Sequence, residues 1–389
     1  MVSRRAFLAL PAGALALAAV GCDTSTRSSP AQQPTTPPQG ILAANFNGDP
    51  GQLNDAELKN VSATWLRGFY EMSDADKENP AESASIKALL SAAQRGYRTV
   101  LSLKFVYFKQ AIPTAGSGAM ATASRRLDDV LAAVLDKVDI LVIGNEPFIE
   151  CQDADRGSDR LNEFYETLAR QAIAYRDRNG GKTRLYMGAL NHLDQADWRT
   201  GATDRWMTFV RDTQALDGTD LHPHLPDVAA GQAYLDYVVP RLRAGQKFLA
   251  TEFSLVLFWK KHLKDPVAPA FAKKYGVATG TPVWQVIKSA IANPFPQEKW
   301  TDFLSMSHWF SANQTFLADQ VKKFRDTGRL AVAAYGIAQD TPMIDGFGPD
   351  SPPWLLNSLF CPYTVQAAAD GLPGQTTPWV DQFRALQQA

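Results

Sequence analysis

One pattern governs this chain from residue 41 onward: short apolar runs alternate with longer amphipathic ones. The apolar runs predict strands over 41–46, 62–69, 99–106, 139–144, 184–190, 216–221, 248–251 and 330–337. Helical spacing lies between them, over 85–95, 125–136, 159–178, 205–213 and 234–244. Ile140 to Ile143 is apolar without alternation, as a parallel strand covered on both faces requires. Parallel strands joined by helices form right-handed βαβ units, and eight of them close into a barrel more naturally than they extend as an open sheet. The predicted fold class is therefore α/β, a (β/α)8 TIM barrel, with long loops over 257–282 and 340–353 after strands seven and eight. Loops of that length in a compact fold usually serve as lids or binding loops. At 389 residues the chain has room for one such barrel with insertions. The eighth strand has a rival over 303–309, which would bring Trp309 rather than Tyr335 to the barrel mouth. The 330–337 choice is preferred because 314–325 reads as a helix closed by Thr327-Gly328, with strand following at once. A last helix over 378–386 would close the outside.

The first 22 residues form an address rather than part of the fold. Ser3-Arg4-Arg5-Ala6-Phe7-Leu8 precedes an uncharged Ala- and Leu-rich run ending at Gly21-Cys22, which is a basic region and an apolar stretch too short to span a membrane comfortably. The paired arginines resemble a twin-arginine export signal. Ala19-Val20-Gly21-Cys22 resembles a lipobox in which Cys22 is diacylated, although a large aliphatic residue usually stands where Ala19 does. The plainer alternative is a cleaved signal peptide with an incidental cysteine. Residues 23–40, rich in Ser, Thr, Pro and Gln, read as a flexible tether, leaving 41–389 as the domain. The expected location is exported and lipid-anchored, periplasmic or at the cell surface, with the anchor as the only membrane contact. Cys151 and Cys361 then remain, either as a disulfide or as two separate buried thiols.

The formal net charge of −1, with no long run of one sign, argues against a nucleic-acid partner, which needs a concentrated basic face. A monomer is expected.

In a barrel of this kind, functional side chains stand at the C-terminal ends of strands. Strand four delivers Gly144-Asn145-Glu146-Pro147, and strand seven delivers Ala250-Thr251-Glu252-Phe253. Glutamate is rarely buried without a partner, so two glutamates following apolar strands point to work at the mouth. Asn-Glu at the end of strand four, with a second Glu at the end of strand seven, resembles the cellulase-like clan of retaining glycoside hydrolases. The resemblance covers the barrel in architecture but only a handful of residues in detail. It implies a carbohydrate substrate, Glu146 as acid/base, Glu252 as nucleophile, and Asn145 as a hydrogen-bond partner of the sugar 2-hydroxyl. Glu146 has to start protonated, so its pKa is expected to be raised, with charge on Glu252 one way to raise it.

The resemblance also implies supporting roles. Arg67, ending strand two, would keep Glu252 ionised, a surface arginine being the plainer alternative. His222 and His224 follow strand six, where the clan often has His or Tyr near the nucleophile, and either is as easily structural. Tyr335 would stand where many relatives carry Trp on strand eight. Trp259, Trp309 and Trp354 would stack on sugar rings, or pack as core or loop aromatics. No cofactor and no metal are implied. One rival is a metal-dependent barrel hydrolase using His192, His222 or His224, and Asp340. Such sites usually want His-x-His at strand one, and Asn45-Phe46-Asn47 offers none. Another rival is a non-catalytic barrel that binds glycans, against which both glutamates count. The sugar, and endo against exo action, stay open.

Overall fold

The computed structural model describes residues 37–46 and 53–388. The residues read as an export signal, Cys22 and most of the expected tether lie outside the described residues. Eight parallel strands are present: β1 (Ile41–Asn45), β2 (Trp65–Glu71), β3 (Arg98–Lys104), β4 (Ile140–Ile143), β5 (Arg184–Leu190), β6 (Gly218–Leu221), β7 (Lys247–Ala250) and β8 (Leu330–Ala338). They pair in sequence order, and β1 pairs with β8, so the (β/α)8 barrel closes. The rival eighth strand is helical, within Gln297–Met306 and His308–Ser311.

Alternation along the strands divides the core in two. Ala43, Val100, Ile140, Val142, Tyr186, Leu249 and Ala334 fill the barrel, with Trp65 packed against them. Leu42, Leu66, Leu101, Leu141, Leu185 and Phe248 face outward under the helices. Each large apolar side chain removed from water in this way contributes roughly 1.5–3 kcal/mol. Pro38 and Gln39, expected in the tether, already touch the barrel: Lys247 Nζ donates to the Pro38 carbonyl at 3.0 Å and to Gln39 Oε1 at 3.1 Å.

The connections depart from expectation more than the strands do. The 257–282 segment carries two short helices, Val256–Lys261 and Pro269–Tyr275. Together with Val283–Ala292 and Gln297–Met306 it makes a helical insert before β8, whose Phe271, Trp300, Phe303 and Phe310 are buried. After β8, a helical turn over Thr341–Ile344 leads to a ninth strand, β9 (Ser358–Phe360), which pairs parallel with the end of β8. The closing helix, Thr377–Leu386, is fixed by Trp379 Nε1 donating to the Leu356 carbonyl at 2.9 Å. Cys151 and Cys361 are separate buried thiols. Among the described residues no helix is long and apolar enough to cross a membrane.

Candidate active site

The ends of β1, β4, β6 and β7 and the middles of β2 and β3 converge on one polar layer, organised by Arg67, which is the third residue of β2 rather than its last, the place the sequence had suggested. This residue is fully buried. Its Nε donates to Ser102 Oγ at 3.2 Å, its Nη1 to Asn45 Oδ1 at 3.1 Å and to Glu252 Oε1 at 2.7 Å, and its Nη2 to Asn145 Oδ1. A guanidinium has no acceptor capacity, so the Asn145 carboxamide must turn its oxygen toward it. Asn145 Nδ2 then donates to Glu150 Oε1 at 2.8 Å. Burial pushes the Glu150 carboxyl up to about 7, against the pull of Lys104.

The turn that aims Asn145 and Glu146 inward needs two glycines. Gly144 has φ +99°, and a Cβ there would lie 2.8 Å from Pro147 Cγ and 2.9 Å from the Tyr165 ring. A Cβ on Gly188, in β5, would come within 2.8 Å of the Gly144 carbonyl. Both backbones approach too closely for a side chain, and that closeness sets where Glu146 stands.

Glu146 Oε1 accepts from Asn191 Nδ2 at 2.8 Å and faces His222 Nδ1 at 3.1 Å. His222 is buried, with Nε2 2.9 Å from Thr251 Oγ1 and 3.4 Å from Asp220 Oδ2. His224 sits closer to solvent, its Nδ1 2.8 Å from Ser254 Oγ and its Nε2 3.7 Å from Glu252 Oε2. One carboxylate oxygen from each glutamate and one ring nitrogen from each histidine all lie within 4.8 Å of one another.

These neighbours fix the charges. Burial opposes ionisation of Glu252, but His222 and Arg67 outweigh it and hold the carboxyl well below the ordinary range. Burial would also lower the His222 imidazole, yet the carboxylates of Glu252, Asp220 and Glu146 raise it to about 10. The expectation of a raised Glu146 is therefore corrected. Burial and the charge on Glu252 do push it up, but the hydrogen bond and charge of His222 prevail and leave it lowered.

The structure brings together Arg67, Asn145, Glu146, His222, His224 and Glu252. It removes Tyr335 and Trp259 from the cleft. Tyr335 is buried on the outer face of β8, its ring 5.2 Å from that of Phe253 and 6.2 Å from that of Trp379. Trp259 is buried in the helical insert, where it stacks on Phe310 and donates to Asn357 Oδ1 at 3.2 Å. Trp309 packs against Trp259 and His262. Of the three tryptophans expected to meet sugar, Trp354 reaches the site. It comes from the loop after β8, lies edge-on to His224 at 4.8 Å, and lines a recess with Asn45, Glu252 and Gly336.

Sequence reasoning missed Asn191, Asp220, Thr251 and Ser254. Asn191 follows β5 directly, so the strand-end rule that found Glu146 applies to it equally. The metal set of His192, His222 or His224, and Asp340 is not gathered. Among the described residues, the cluster of metal-capable side chains is Glu146, His222, His224 and Glu252.

No family model matches the chain, and no curated protein matches it in sequence. Solved structures do. An endo-1,4-β-xylanase from Penicillium canescens superposes with TM-score 0.51 at 12% identity, over 89% of this chain and 94% of that one. An exo-β-1,4-mannosidase from Opitutaceae bacterium strain TAV5 gives TM-score 0.51 at 12% identity, over 90% of this chain but 60% of its own length. A β-glycosidase gives TM-score 0.50 at 10% identity, over 90% of this chain and 97% of its own. At these identities the likeness establishes the shared barrel.

Proposed function

We propose that the protein is a retaining glycoside hydrolase acting on an extracytoplasmic glycan, with Glu252 as nucleophile and Glu146 as acid/base. The observation that carries this reading is the carboxylate pair at the barrel mouth, with an oxygen of each within 4.8 Å of the other. Retaining enzymes place their carboxyl groups about 5–5.5 Å apart, whereas inverting enzymes leave about 6.5–9.5 Å for a water between them. The names borne by the similar barrels, a xylanase, a mannosidase and a β-glycosidase, support the same class.

The two glutamates are unequal in the way the chemistry requires. Glu252, ion-paired with Arg67, stays ionised and attacks the anomeric carbon. Glu146 delivers a proton to the leaving oxygen, with His222 Nδ1 3.1 Å from its Oε1. Glycan binding that screens Glu146 from the charge on His222 raises its pKa and favours the protonated acid. After the aglycone leaves, Glu146 takes a proton from water, which attacks the glycosyl–Glu252 ester and restores the configuration. Asn145 positions the 2-hydroxyl through the hydrogen on Nδ2 that Glu150 does not hold, and Trp354 offers a sugar ring an apolar face. Cys22 would tether the enzyme to the membrane.

Replacing Glu146 with Ala separates this reading from a glycan-binding barrel. Turnover of natural glycosides should fall about 10²–10⁴-fold, while aryl glycosides with good leaving groups lose far less, because they need little proton assistance. Equal losses on both substrate types would remove Glu146 as the acid.

A further inference from the structure

The four side chains at the mouth also suit a different ligand. His222 Nδ1 lies 3.1 Å from Glu146 Oε1 and 4.0 Å from Glu252 Oε1. His224 Nε2 lies 3.9 Å from Glu146 Oε1 and 3.7 Å from Glu252 Oε2. A tetrahedral ion bound at about 2.0–2.1 Å by nitrogen and oxygen has ligand–ligand edges of about 3.3–3.4 Å. The His–Glu edges onto Glu146 Oε1, 3.1 and 3.9 Å, and the His224 edge onto Glu252 Oε2, 3.7 Å, already approach that figure, and with one ligand atom from each residue no edge of the cluster exceeds 4.8 Å. Closing on an ion takes rotation of the two glutamates, which with His224 are partly exposed.

A second observation concerns the far side of each ring. Metal-bound imidazoles almost always give their other nitrogen to a fixed oxygen, which sets the tautomer and the ring plane. His222 Nε2 is held by Thr251 Oγ1 at 2.9 Å, with Asp220 Oδ2 at 3.4 Å, leaving Nδ1 to face the cluster. His224 Nδ1 is held by Ser254 Oγ at 2.8 Å, leaving Nε2 to face it. Two histidines from one strand end thus present opposite nitrogens to a common point, each braced from behind.

We propose that Glu146, His222, His224 and Glu252 bind one Zn²⁺, and that zinc and glycan exclude each other. A set of two imidazoles and two carboxylates in tetrahedral disposition favours zinc over magnesium, which demands six oxygen ligands in an octahedron. The two carboxylates balance the charge of the ion. Arg67 stays on Glu252 Oε1, leaving Oε2 for the metal. Zinc in this position occupies the oxygen that would attack the sugar and the oxygen that would carry the acid proton. The exclusion of glycan rests on the glycosidase reading, but the metal site does not.

The test is calorimetric titration of the purified, metal-stripped chain with ZnCl2, with MgCl2 as control. One zinc per chain is expected at micromolar Kd, with no saturable magnesium heat. Ser254→Ala, which frees the His224 ring but keeps all four ligands, should weaken zinc about 10–100-fold. His224→Gln should weaken it at least as much, with thermal melts verifying that both variants fold. No saturable zinc binding, or binding indifferent to His224→Gln, would overturn the site. On the wild-type chain, zinc at ten times its Kd should slow turnover of dilute glycoside about elevenfold. Acceleration by zinc would overturn the exclusion. Zinc binding in a chain that cleaves no glycoside would uphold the site and count against the glycosidase alone.

Discussion

Replacing Arg67 with Met tests whether the polar layer is organised as described. Methionine fills much of the same volume without charge, so the variant chiefly removes the guanidinium. Arg67 is fully buried, and its ion-pair partner Glu252 keeps 17% side-chain exposure. Breaking a buried pair by deleting one partner costs about 3–5 kcal/mol, because the remaining charge is left uncompensated. The lower end applies here, since Glu252 retains some solvent and His222 stands 4.0 Å away. Loss of the bonds to Asn45, Ser102 and Asn145 adds to the cost, so about 4 kcal/mol is expected in urea unfolding at neutral pH. Glu252→Gln removes the opposite charge, and the double variant removes the pair. The double variant should therefore be less destabilised than the two single effects combined, by about 2–3 kcal/mol. Catalysis should suffer independently, with Arg67→Met lowering kcat/KM about 10²–10³-fold, the range typical of lost electrostatic support at a reacting group. A surface arginine would change stability by less than about 0.5 kcal/mol. That result, together with an additive cycle, would refute the role given to Arg67.

Other consequences follow from particular residues. Gly144→Ala combines a positive φ with contacts below 3 Å, so it should cost about 2–4 kcal/mol in chemical denaturation and reduce kcat by displacing Glu146; a neutral substitution would show that the β4 turn is not constrained as described. Tyr335→Phe should leave kcat/KM unchanged and stability no lower, because the hydroxyl is buried without a hydrogen-bond partner; a kinetic loss would return Tyr335 to the cleft. Burial pushes the Glu57 carboxyl up to about 7 against its bond from Asn54, so the folded state binds a proton more tightly than the unfolded state does. Stability from this group is present below the ordinary value of 4.5 and is lost as pH rises from there through about 7. Glu57→Gln should therefore raise the melting temperature at pH 8 more than at pH 5; equal shifts at both values would show that Glu57 does not titrate abnormally.

How far the sequence led depended on what each feature requires. The strands were legible because a short apolar run bounded by turn residues has few alternatives, and Ile140 to Ile143 has almost none. Glu146 and Glu252 were legible because a charged residue directly after such a run has to leave the core. Tyr335 was misplaced by a local irregularity. Phe248 pairs with Leu330 but Ala250 with Ala333, so β8 gains a residue against β7 and its faces exchange. Gly336 then pairs with Asn45 at the mouth, and Tyr335 turns outward. No alternation pattern reveals such a bulge. The tryptophan beside Glu252 comes instead from the following loop, as Trp354. The lowered Glu146 was hidden for another reason: the pairing of two glutamates is visible along the chain, but an imidazole braced by Asp220 and Thr251 beneath them is not.

The central claim is that Glu252 forms a covalent bond to sugar, and mass spectrometry tests it directly. The protein would be exposed to a panel of activated 2-deoxy-2-fluoro glycosides, which form the ester but hydrolyse it slowly, then digested and mapped. One adduct is expected, on the peptide carrying Glu252, and none in Glu252→Gln. A stable adduct on another residue, or none from any reagent while the protein still hydrolyses glycosides, would contradict it.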